Sequence, residues 1–335
     1  MEIPQPAWSA PAAEAGGDFA GFSGASARMQ KVYHVICQVA VTRNPVLILG
    51  ESGTGKELVA RAIHSQGPWR DQRFVPIDCG ALTPTLIESE MFGHVRGAFT
   101  GATQARQGLL AAAGEGTVFL DEIVELPVEL QPKLLRVLQE REVKPLGSNA
   151  RIPVKARIIA ATNQDLEAAI KRGTLRKELY FRLNVVSIKL PPLRERREDI
   201  PGLVRFFLAK HKAHLSGITG VCDEVMVRLV SYDWPGNVRE LENCIQRCLA
   251  LGNAPQIRVV DLPSNLLYFV GEPRREARAL ATLQELEQRA IRQAIEATQG
   301  DRLRAAKLLG IGKTTIYRKL KEYGLEDLPG PPPGS

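Results

Sequence analysis

The sequence predicts an α/β fold with a parallel sheet, followed by a helical subdomain and a small all-α module. Short apolar runs rich in β-branched residues alternate with helical stretches up to about residue 200, a pattern typical of a parallel sheet covered by helices. Beyond that point the predicted elements are helices, and a stretch of Pro, Gly and Arg separates the last of them from the rest. A length of 335 residues allows about two domains.

Five buried strands are predicted from the apolar runs. They are Val46–Leu49, Phe74–Ile77, Thr117–Leu120, Ala156–Ala160 and Val185–Leu190. Helical periodicity predicts one helix after the first strand and three in the subdomain, over Glu57–His64, Ile200–His214, Glu224–Tyr232 and Val238–Leu251. No strand is predicted after about residue 200.

The final module is predicted to contain three helices. An amphipathic helix begins at Leu283, and two shorter helices follow over Arg302–Leu309 and Lys313–Tyr323. These patterns divide the chain into a flexible tail (1–21), an α/β domain with its helical lid from about 195 (22–262), a linker (263–281), the helical module (282–326) and a second flexible tail (327–335).

Composition and charge exclude several classes of protein. With 44% apolar and 24% charged residues, and no apolar run near the roughly 18 residues of a bilayer span, we expect a cytoplasmic protein without membrane contact. Five cysteines without a CxxC pair predict reduced thiols and no structural metal. Between Pro273 and Glu326, twelve Lys/Arg stand against seven Asp/Glu, which indicates a nucleic-acid partner, although solubility would explain the same charge.

The strongest motif lies between the first strand and its helix. It consists of Gly50, Glu51, Ser52, Gly53, Thr54, Gly55, Lys56 and Glu57. A glycine-rich turn lets backbone N–H groups point at phosphate oxygens, the following helix N-terminus adds its dipole, and Lys56 supplies a mobile charge for the outer phosphates. A flexible glycine turn is the alternative. Glu57 stands where the generic motif has the Ser or Thr that binds magnesium. This difference weakens the prediction of a bound metal but not the prediction of a phosphate site.

Two adjacent acids, Asp121 and Glu122, end the third predicted strand. Nucleotide hydrolysis needs a carboxylate for the metal and a group that activates or orients water. The carboxyl edge of a parallel sheet is where such groups meet. We therefore predict that Asp121 binds Mg²⁺ and that Glu122 activates water, whereas an acidic pair alone is as often an ordinary turn.

Three further side chains are candidates for the same chemistry. Asn163 follows the fourth predicted strand and could sense the terminal phosphate or orient water, although a strand-end turn also explains it. Arg176 and Arg182 could neutralise the charge that develops during phosphoryl transfer. Surface salt bridges are the alternative for both arginines.

A glycine-rich hexapeptide lies between the two nucleotide motifs. It consists of Gly97, Ala98, Phe99, Thr100, Gly101 and Ala102. Because glycines make a poor helix and a poor strand, we predict a protruding loop whose tip presents Phe99 and Thr100 to a partner. A buried Phe99 that anchors an ordinary loop is the alternative.

Four segments together resemble the central domain of bacterial sigma-54-dependent transcription activators, also called enhancer-binding proteins. They are the phosphate loop GESGTGKE, the segment ESEMFGHVRGAFTGA, the acidic strand GTVFLDE and the segment WPGNVREL. The resemblance spans about Phe22 to Leu262, and the GAFTGA hexapeptide is specific to the family. It implies an AAA+ ATPase that assembles into a ring, usually hexameric, with ATP bound between neighbouring subunits.

The resemblance also implies a role for each candidate residue. Glu57 matches the family's own version of the loop. Asp121 and Glu122 would be the magnesium-binding and water-activating acids, and Asn163 would belong to the sensor strand. The resemblance further implies that Arg176 and Arg182 enter the nucleotide site of the neighbouring subunit. It implies that Arg239 contacts phosphate in the site of its own subunit.

Two loops are implied to transmit the nucleotide state. Phe99 and Thr100 would contact sigma-54, and the loop from Lys144 to Lys155 resembles a second insertion that communicates with the first. Two positions depart from the family pattern: Leu175 replaces a common Phe, a minor change, and Asp78 stands where an asparagine is thought to restrain the catalytic glutamate. An aspartate there could repel Glu122 and change the coupling.

The C-terminal module resembles the Fis-type helix-turn-helix of these activators. Its first short helix is expected to pack through Ala305, Ala306, Leu308 and Leu309, and its second through Ile316, Leu320 and Tyr323. The opposite face of the second helix would present phosphate binders and base readers to DNA, namely Lys313, Thr314, Thr315, Arg318 and Lys319. A basic bundle that contacts protein is the alternative. Two paired modules would suit a palindromic site.

The resemblance implies an activator that binds upstream, enhancer-like DNA, forms homo-oligomers from dimer to hexameric ring, and uses ATP to drive the sigma-54 RNA polymerase holoenzyme from closed to open complex. One alternative is an AAA+ remodeller with another client, against which the intact GAFTGA segment counts. The other is a DNA-binding regulator with a vestigial ATPase, against which Lys56, Asp121, Glu122 and Arg182 count. Residues 1–21 are too few for the sensory domain that relatives often carry, so we expect control in trans or by expression, or a truncated chain.

Overall fold

The structure is a computed structural model. It describes residues 24–81, 83–99, 101–211, 218, 220–252, 255–268, 287–288, 290–292, 294–295, 298 and 301–323. The two predicted tails lie outside the described residues, as does the part of the predicted linker after residue 268. The chain divides into two compact units, Met1–Gly271 and Glu272–Ser335.

The described secondary structure alternates strands and helices through the first unit. The strands are β1 (Val46–Leu49), β2 (Phe74–Asp78), β3 (Gly93–His94), β4 (Arg106–Gln107), β5 (Thr117–Asp121), β6 (Glu142–Val143), β7 (Ile152–Pro153), β8 (Arg157–Thr162), β9 (Val186–Lys189), β10 (Gly220–Val221) and β11 (Gln256–Ile257). The helices are α1 (Ala27–Ala40), α2 (Lys56–Ser65), α3 (Pro84–Phe92), α4 (Leu109–Ala112), α5 (Gln131–Glu140), α6 (Leu166–Arg172), α7 (Lys177–Leu183), α8 (Ile200–His211), α9 (Asp223–Ser231), α10 (Asn237–Leu251), α11 (Ser264–Leu267), α12 (Arg302–Leu308) and α13 (Lys313–Glu322).

The predicted parallel sheet is confirmed, with strand order β2-β5-β8-β1-β9. Strand β8 ends at Thr162, two residues later than predicted, because the small apolar side chains of Ala160 and Ala161 continue the buried run. In the register, Asp78 lies opposite Asp121 and Leu49 opposite Thr162. The strands therefore end together, and the residues that follow them share one edge of the sheet.

Apolar side chains alternate between two cores, one on each face of the sheet. Leu47 and Ile158 face the core that contains residues of α3, α5 and α7. Ile48 and Ile159 face the core built with α1 and α2. Burial on both faces explains why the strands read as continuous apolar runs. The sequence pattern did not predict α1, which begins after Ser26, whose hydroxyl accepts a hydrogen bond from the N–H of Met29.

In the part of the lid that the structure describes, four helices, α8 to α11, surround the fully buried Trp234. Two predictions about it are wrong. The lid does not end at residue 262, because Leu266 of α11 is fully buried in the lid core, so the first residues of the predicted linker belong to the lid. Strands do occur after residue 200, since β10 pairs with β11, but two-residue strands are too short to leave an apolar run in the sequence.

Two hairpins interrupt the α/β pattern. The first, β3–β4, carries the GAFTGA segment between its strands, and the second, β6–β7, carries residues 144–151. The two insertions are joined by backbone hydrogen bonds, from Val95 N to Leu146 O (3.1 Å) and from Leu146 N to Gly93 O (2.8 Å). None of the helices in the described ranges combines the length and the apolarity that a bilayer span requires.

The C-terminal unit contains α12, α13 and helical residues between 287 and 295. Ala305, Ala306, Ile316 and Leu320 are buried in its core, as predicted. The prediction for Leu308 is wrong, since this side chain is 69% exposed. The buried side of α12 runs through Ala305 and Ala306, and Leu308 lies outside the arc that they span.

Candidate functional site

The glycine-rich loop joins β1 to α2 as a tight turn. Gly53 and Gly55 have positive φ angles of 76° and 103°, which only glycine adopts without strain. The Thr54 hydroxyl donates to Glu51 O (2.8 Å) and holds the turn closed. Lys56 is 7% exposed and folds back so that its Nζ lies 3.2 Å from Gly50 O. This geometry leaves backbone N–H groups and one buried ammonium at the N-terminus of α2, where an anion is favoured.

The four predicted residues around this loop form what we call the strand-end edge: Lys56, Asp121, Glu122 and Asn163. Glu122 adopts a left-handed conformation (φ 47°) directly after β5, and its Oε1 lies 3.2 Å from Lys56 Nζ. Its Oε2 accepts the N–H of Asn163 (3.1 Å) and lies 3.4 Å from the Thr162 hydroxyl. The structure thus brings Lys56, Glu122 and Asn163 together, with Asn163 contributing its backbone to this contact.

Asp121 carries negative charge that the chain does not fully compensate. Burial raises the pKa of its carboxyl group, and the charges of Glu122 and, less strongly, Asp78 act in the same direction. Magnesium is usually held by one or two carboxylates together with phosphate oxygens and water. Within the described residues, no group of three or more His, Cys, Asp or Glu could hold a metal ion. The Asp121 carboxylate, next to Glu122, is the kind of oxygen donor that fits a Mg²⁺ whose other ligands would be phosphate oxygens and water.

Asp78 lies at the same edge but does not contact Glu122. Its Oδ1 accepts the N–H of Gly80 at 2.9 Å. Glu122 is restrained instead by Lys56 and by the backbone of Asn163. The expected repulsion between the two carboxylates stays a prediction, and this arrangement keeps Glu122 turned towards a cation.

Arg176 and Arg182 are not brought to the strand-end edge. Arg182 donates from Nη2 and Nε to Leu138 O (3.2 and 3.4 Å). Arg176 is exposed, and in the described part of the chain neither guanidinium forms a hydrogen bond or ion pair with Asp121 or Glu122. Two apolar side chains near these arginines in the sequence are also exposed: Phe181, within α7, is 62% exposed, and Val185, two residues after α7, is 53% exposed. We call these four residues the arginine face: Arg176, Phe181, Arg182 and Val185.

The GAFTGA segment forms a closed turn, with Gly97 N donating to Ala102 O at 2.8 Å. The contact of Phe99 with a partner stays a prediction, and in this conformation the Phe99 side chain is not extended from the loop. Its half-buried ring packs edge-on against His94, with 5.1 Å between the ring centroids, because the turn folds the side chain back towards the hairpin. Thr100 lies outside the described residues.

The predicted DNA face of α13 is present in part. Lys313, Thr314 and Arg318 are exposed, and Thr315 is half-buried. The placement of Lys319 on this face is wrong. Its Nζ donates to Glu287 Oε2 (2.8 Å) and to Tyr323 Oη (3.2 Å), since position 319 follows the buried Ile316 by three residues and shares its side of the helix.

Comparison with known proteins covers nearly the whole described chain. Residues 22–189 match the sigma-54 interaction domain, residues 194–279 match the AAA+ ATPase lid domain, and residues 282–323 match the bacterial regulatory proteins of the Fis family. The chain belongs to the sigma-54-dependent transcriptional regulators. Its central domain is an AAA+ ATPase, and its C-terminal unit is a Fis-type helix-turn-helix.

The chain matches relatives and solved structures of this regulator family over about two thirds of their own length. The regulatory protein AtoC of Escherichia coli (strain K12) is 44% identical over 309 residues, covering 90% of this chain and 67% of AtoC. The response regulator protein PilR of Pseudomonas aeruginosa is 42% identical over 315 residues, covering 90% and 69%. Crystal structures of NtrX from Brucella abortus in complex with ADP and with ATP each match with a TM-score of 0.69 and 34% identity, covering 90% of this chain and 70% or 69% of NtrX.

Several residues that hold the phosphate loop of this regulator were not predicted from the sequence. Arg194 forms a bidentate pair with Glu51 (2.6 and 2.8 Å), and this hydrogen bonding lowers the pKa of Glu51 to about 2. Glu51 therefore faces the lid, and only its backbone remains for a phosphate. Arg196 donates to Thr54 O (3.1 Å). Arg239, which was predicted, reaches the loop with its Nη1 3.5 Å from Ser52 Oγ. Arg194 and Arg196 follow a pair of prolines shortly after β9. This pattern could have indicated that arginines hold the phosphate loop.

Proposed function

We propose that the protein uses ATP hydrolysis to remodel the sigma-54 RNA polymerase holoenzyme from a closed to an open promoter complex. The observation that carries this proposal is a short covalent path from the strand-end edge to the GAFTGA loop. Strand β2 ends at Asp78 opposite Asp121, α3 begins at Pro84, and the hairpin that carries the loop follows at Gly93. A displacement at the nucleotide edge would be passed along one helix to the loop.

In the proposed site the phosphate loop, Gly50 to Glu57, binds the triphosphate. Lys56 contacts the outer phosphates, and Arg239 approaches them from the lid. Asp121 holds Mg²⁺, which would neutralise phosphate charge. Glu122 takes a proton from water as the water oxygen attacks the terminal phosphorus and ADP leaves, while Asn163 orients that water. Lys56 Nζ lies 3.2 Å from Glu122 Oε1, and phosphate oxygens would draw Lys56 away and so release the carboxylate for this role.

We assign Arg176 and Arg182 to the site of a neighbouring copy in a ring, usually hexameric in this family. The support is that the strand-end edge lacks a guanidinium from its own α7, while the arginine face is exposed. An aromatic side chain that is 62% exposed beside an arginine is typical of a protein interface. Hydrolysis would then depend on assembly.

The second insertion supports the proposed transmission. A Cβ placed on Gly147 would lie 3.0 Å from the Cβ of Ala98, so the second insertion touches the GAFTGA segment directly. Phe99 and Thr100 are proposed to contact sigma-54 after the Phe99 ring leaves His94. Contacts made in one nucleotide state and lost in another convert hydrolysis into directed movement.

Upstream DNA is proposed to bind the exposed face of α13. Lys313 and Arg318 would contact phosphates or base edges, and Thr314 and Thr315 would contribute hydrogen bonds. Replacing Arg318 by alanine should weaken binding and reduce its salt dependence. Lys319→Ala should instead loosen the C-terminal unit, because it removes the partner of Glu287. Electrophoretic mobility shifts at two salt concentrations, together with thermal unfolding, separate the two outcomes.

Open-complex formation tests the proposal directly. Purified protein, sigma-54 holoenzyme and a supercoiled sigma-54 promoter are incubated with ATP or a non-cleavable analogue, and permanganate footprinting reports unpaired thymines. We expect opening with ATP alone, and none with Glu122→Gln. Thr100→Ala should keep ATP hydrolysis and lose opening. Equal opening with the analogue would overturn the proposal, and hydrolysis without any effect on the promoter would favour a different client.

A further inference from the structure

The contact between the phosphate loop and the lid includes a buried amide, that of Asn237, the first residue of α10. Asn237 is fully buried. Its Nδ2 donates to Ser52 O (3.0 Å) and to Glu51 Oε2 (3.1 Å). Its Oδ1 accepts the N–H of Leu193 at 2.8 Å. One side chain therefore joins the loop, the segment between β9 and the lid, and the first turn of the longest lid helix.

We infer that Asn237 is a positioning residue that makes the phosphate loop and the lid move together, so that phosphate occupancy sets the lid orientation. This inference rests on the proposed function, since it assumes that the loop binds the phosphates of ATP and ADP. Asn237 touches the loop through the Glu51 carboxylate and the Ser52 carbonyl group. Its effect on nucleotide is therefore indirect.

The backbone around Asn237 supports this role. Asn237 has a positive φ of 53°, a strained conformation for a non-glycine residue that is kept where surrounding contacts demand it. The N–H of Val238 donates to Gly53 O at 3.0 Å. A Cβ at Gly53 would lie 2.2 Å from Gly236 O, so only glycine permits this approach of loop and lid. Side chain and backbone thus fix the same contact.

The orientation of the amide is determined by its partners. Because Oδ1 faces an N–H donor, Nδ2 must face the acceptors of the loop. Glu51 is in turn held by the Arg194 guanidinium, which lies one residue beyond Leu193. A phosphate that reshapes the loop would therefore move Glu51 and Ser52 against the amide, and the lid would follow. An aliphatic residue could fill this space but could not transmit the movement.

Hydrogen–deuterium exchange of the full chain, with and without ADP, tests this inference. In the wild type, ADP should slow exchange both in the phosphate loop and in α10. Asn237→Gly keeps the left-handed backbone and removes the amide. In this variant we expect ADP to protect the loop but to leave exchange in α10 within about twofold of the ADP-free rate, and ADP to bind about tenfold more weakly. Equal ADP-induced protection of α10 in variant and wild type would overturn the inference.

Three controls separate this role from a general effect on folding. Asn265→Gly removes an exposed lid asparagine that bonds Tyr232 Oη (3.3 Å), and it should keep the ADP-induced protection of α10. Asn237→Asp should bind ADP more weakly than Asn237→Gly, because a carboxylate would face Glu51, and adding Glu51→Gln should recover part of that loss. No recovery would count against the inference. Failure of the wild type to bind ADP would contradict the proposed function instead.

Discussion

The strand-end edge and the arginine face belong to one domain but differ in how their charges are partnered. At the strand-end edge, Lys56 and Glu122 form an ion pair at 3.2 Å, and their side chains are only 7% and 25% exposed. On the arginine face, Arg176 and Phe181 are exposed to solvent. The first region has the acids and the phosphate loop but no guanidinium from α7, and the second has two guanidinium groups but no phosphate loop of its own. Each region supplies what the other lacks, which favours assembly of identical copies.

Of the changes that test this difference between the two regions, Arg182→Ala should have the largest effect on ATP hydrolysis. Loss of an arginine that acts on a neighbour's phosphate should reduce steady-state ATP hydrolysis about 10³-fold or more. Nucleotide binding to the isolated variant should stay near the wild-type value, because Arg182 bonds Leu138 O and not the phosphate loop of its own chain. Phosphate release and titration with a fluorescent ADP measure the two quantities.

Mixing variants shows whether Arg182 acts between chains. Lys56→Ala lacks a working phosphate loop but keeps the arginines, so a mixture with Arg182→Ala should regain hydrolysis that neither variant has alone. Arg70→Ala, a change at a side chain that is 70% exposed, serves as the control and should hydrolyse ATP normally. A mixture as inactive as its components would place Arg182 outside the neighbour's site.

Glu122→Gln addresses the other region, with a smaller effect. Removing the carboxylate that accepts the proton of the attacking water should lower the hydrolysis rate about 10²- to 10⁴-fold. ADP affinity should rise or stay equal, because Lys56 loses its ionic partner and is freed for phosphate. Glu125→Gln, three residues along and exposed, is the matched control and should hydrolyse at the wild-type rate. Comparable losses in both variants would remove Glu122 from its assigned role.

Phe181→Asp tests the apolar part of the arginine face. A charge in place of an aromatic at a subunit boundary should raise the protein concentration for half-assembly about tenfold or more. Sedimentation velocity with ADP and aluminium fluoride measures assembly. Val227→Asp, at a lid side chain that is 65% exposed, controls for the added charge and should assemble normally. Unchanged assembly of Phe181→Asp would show that this face stays in solvent.

The sequence predicted the sheet and the strand-end edge because both are encoded locally. Each strand is a continuous apolar run, and the residues after it follow in sequence, so parallel strand ends bring Lys56, Glu122 and Asn163 together. The helix-turn-helix fold was predicted correctly, but the side of each helix on which individual residues lie was not. Lys319 and Leu308 were each placed on the wrong side of a short helix, where one position changes the direction by about 100°.

Contacts between distant segments could not be predicted from local patterns. Asn237 and Glu51 are 186 positions apart, and Arg194 and Glu51 are 143 apart. No periodicity relates such residues, and the positive φ of Asn237 has no signature in one sequence. The position of the Phe99 ring against His94 also depends on how the loop closes.

Asp121→Asn gives the smallest expected effect and tests whether the strand-end edge carries uncompensated negative charge. Burial and the nearby Glu122 raise the pKa of Asp121 above its ordinary value of 3.8. Because the unfolded chain ionises this group more readily, the ionised carboxylate destabilises the folded protein at neutral pH. In the absence of nucleotide and metal, Asp121→Asn should therefore raise Tm by a few degrees at pH 7, measured by calorimetry.

The pH dependence fixes the sign of this effect. The stability gained by Asp121→Asn should be complete above the raised pKa and should vanish as the pH falls below 3.8, where the wild-type carboxyl group is protonated in both states. Asp71→Asn removes a carboxylate that is 89% exposed and should leave Tm unchanged. A lower Tm for Asp121→Asn at pH 7 would mean that Lys56 already compensates the charge of Asp121, and the edge would then have less need of a cation than its geometry indicates.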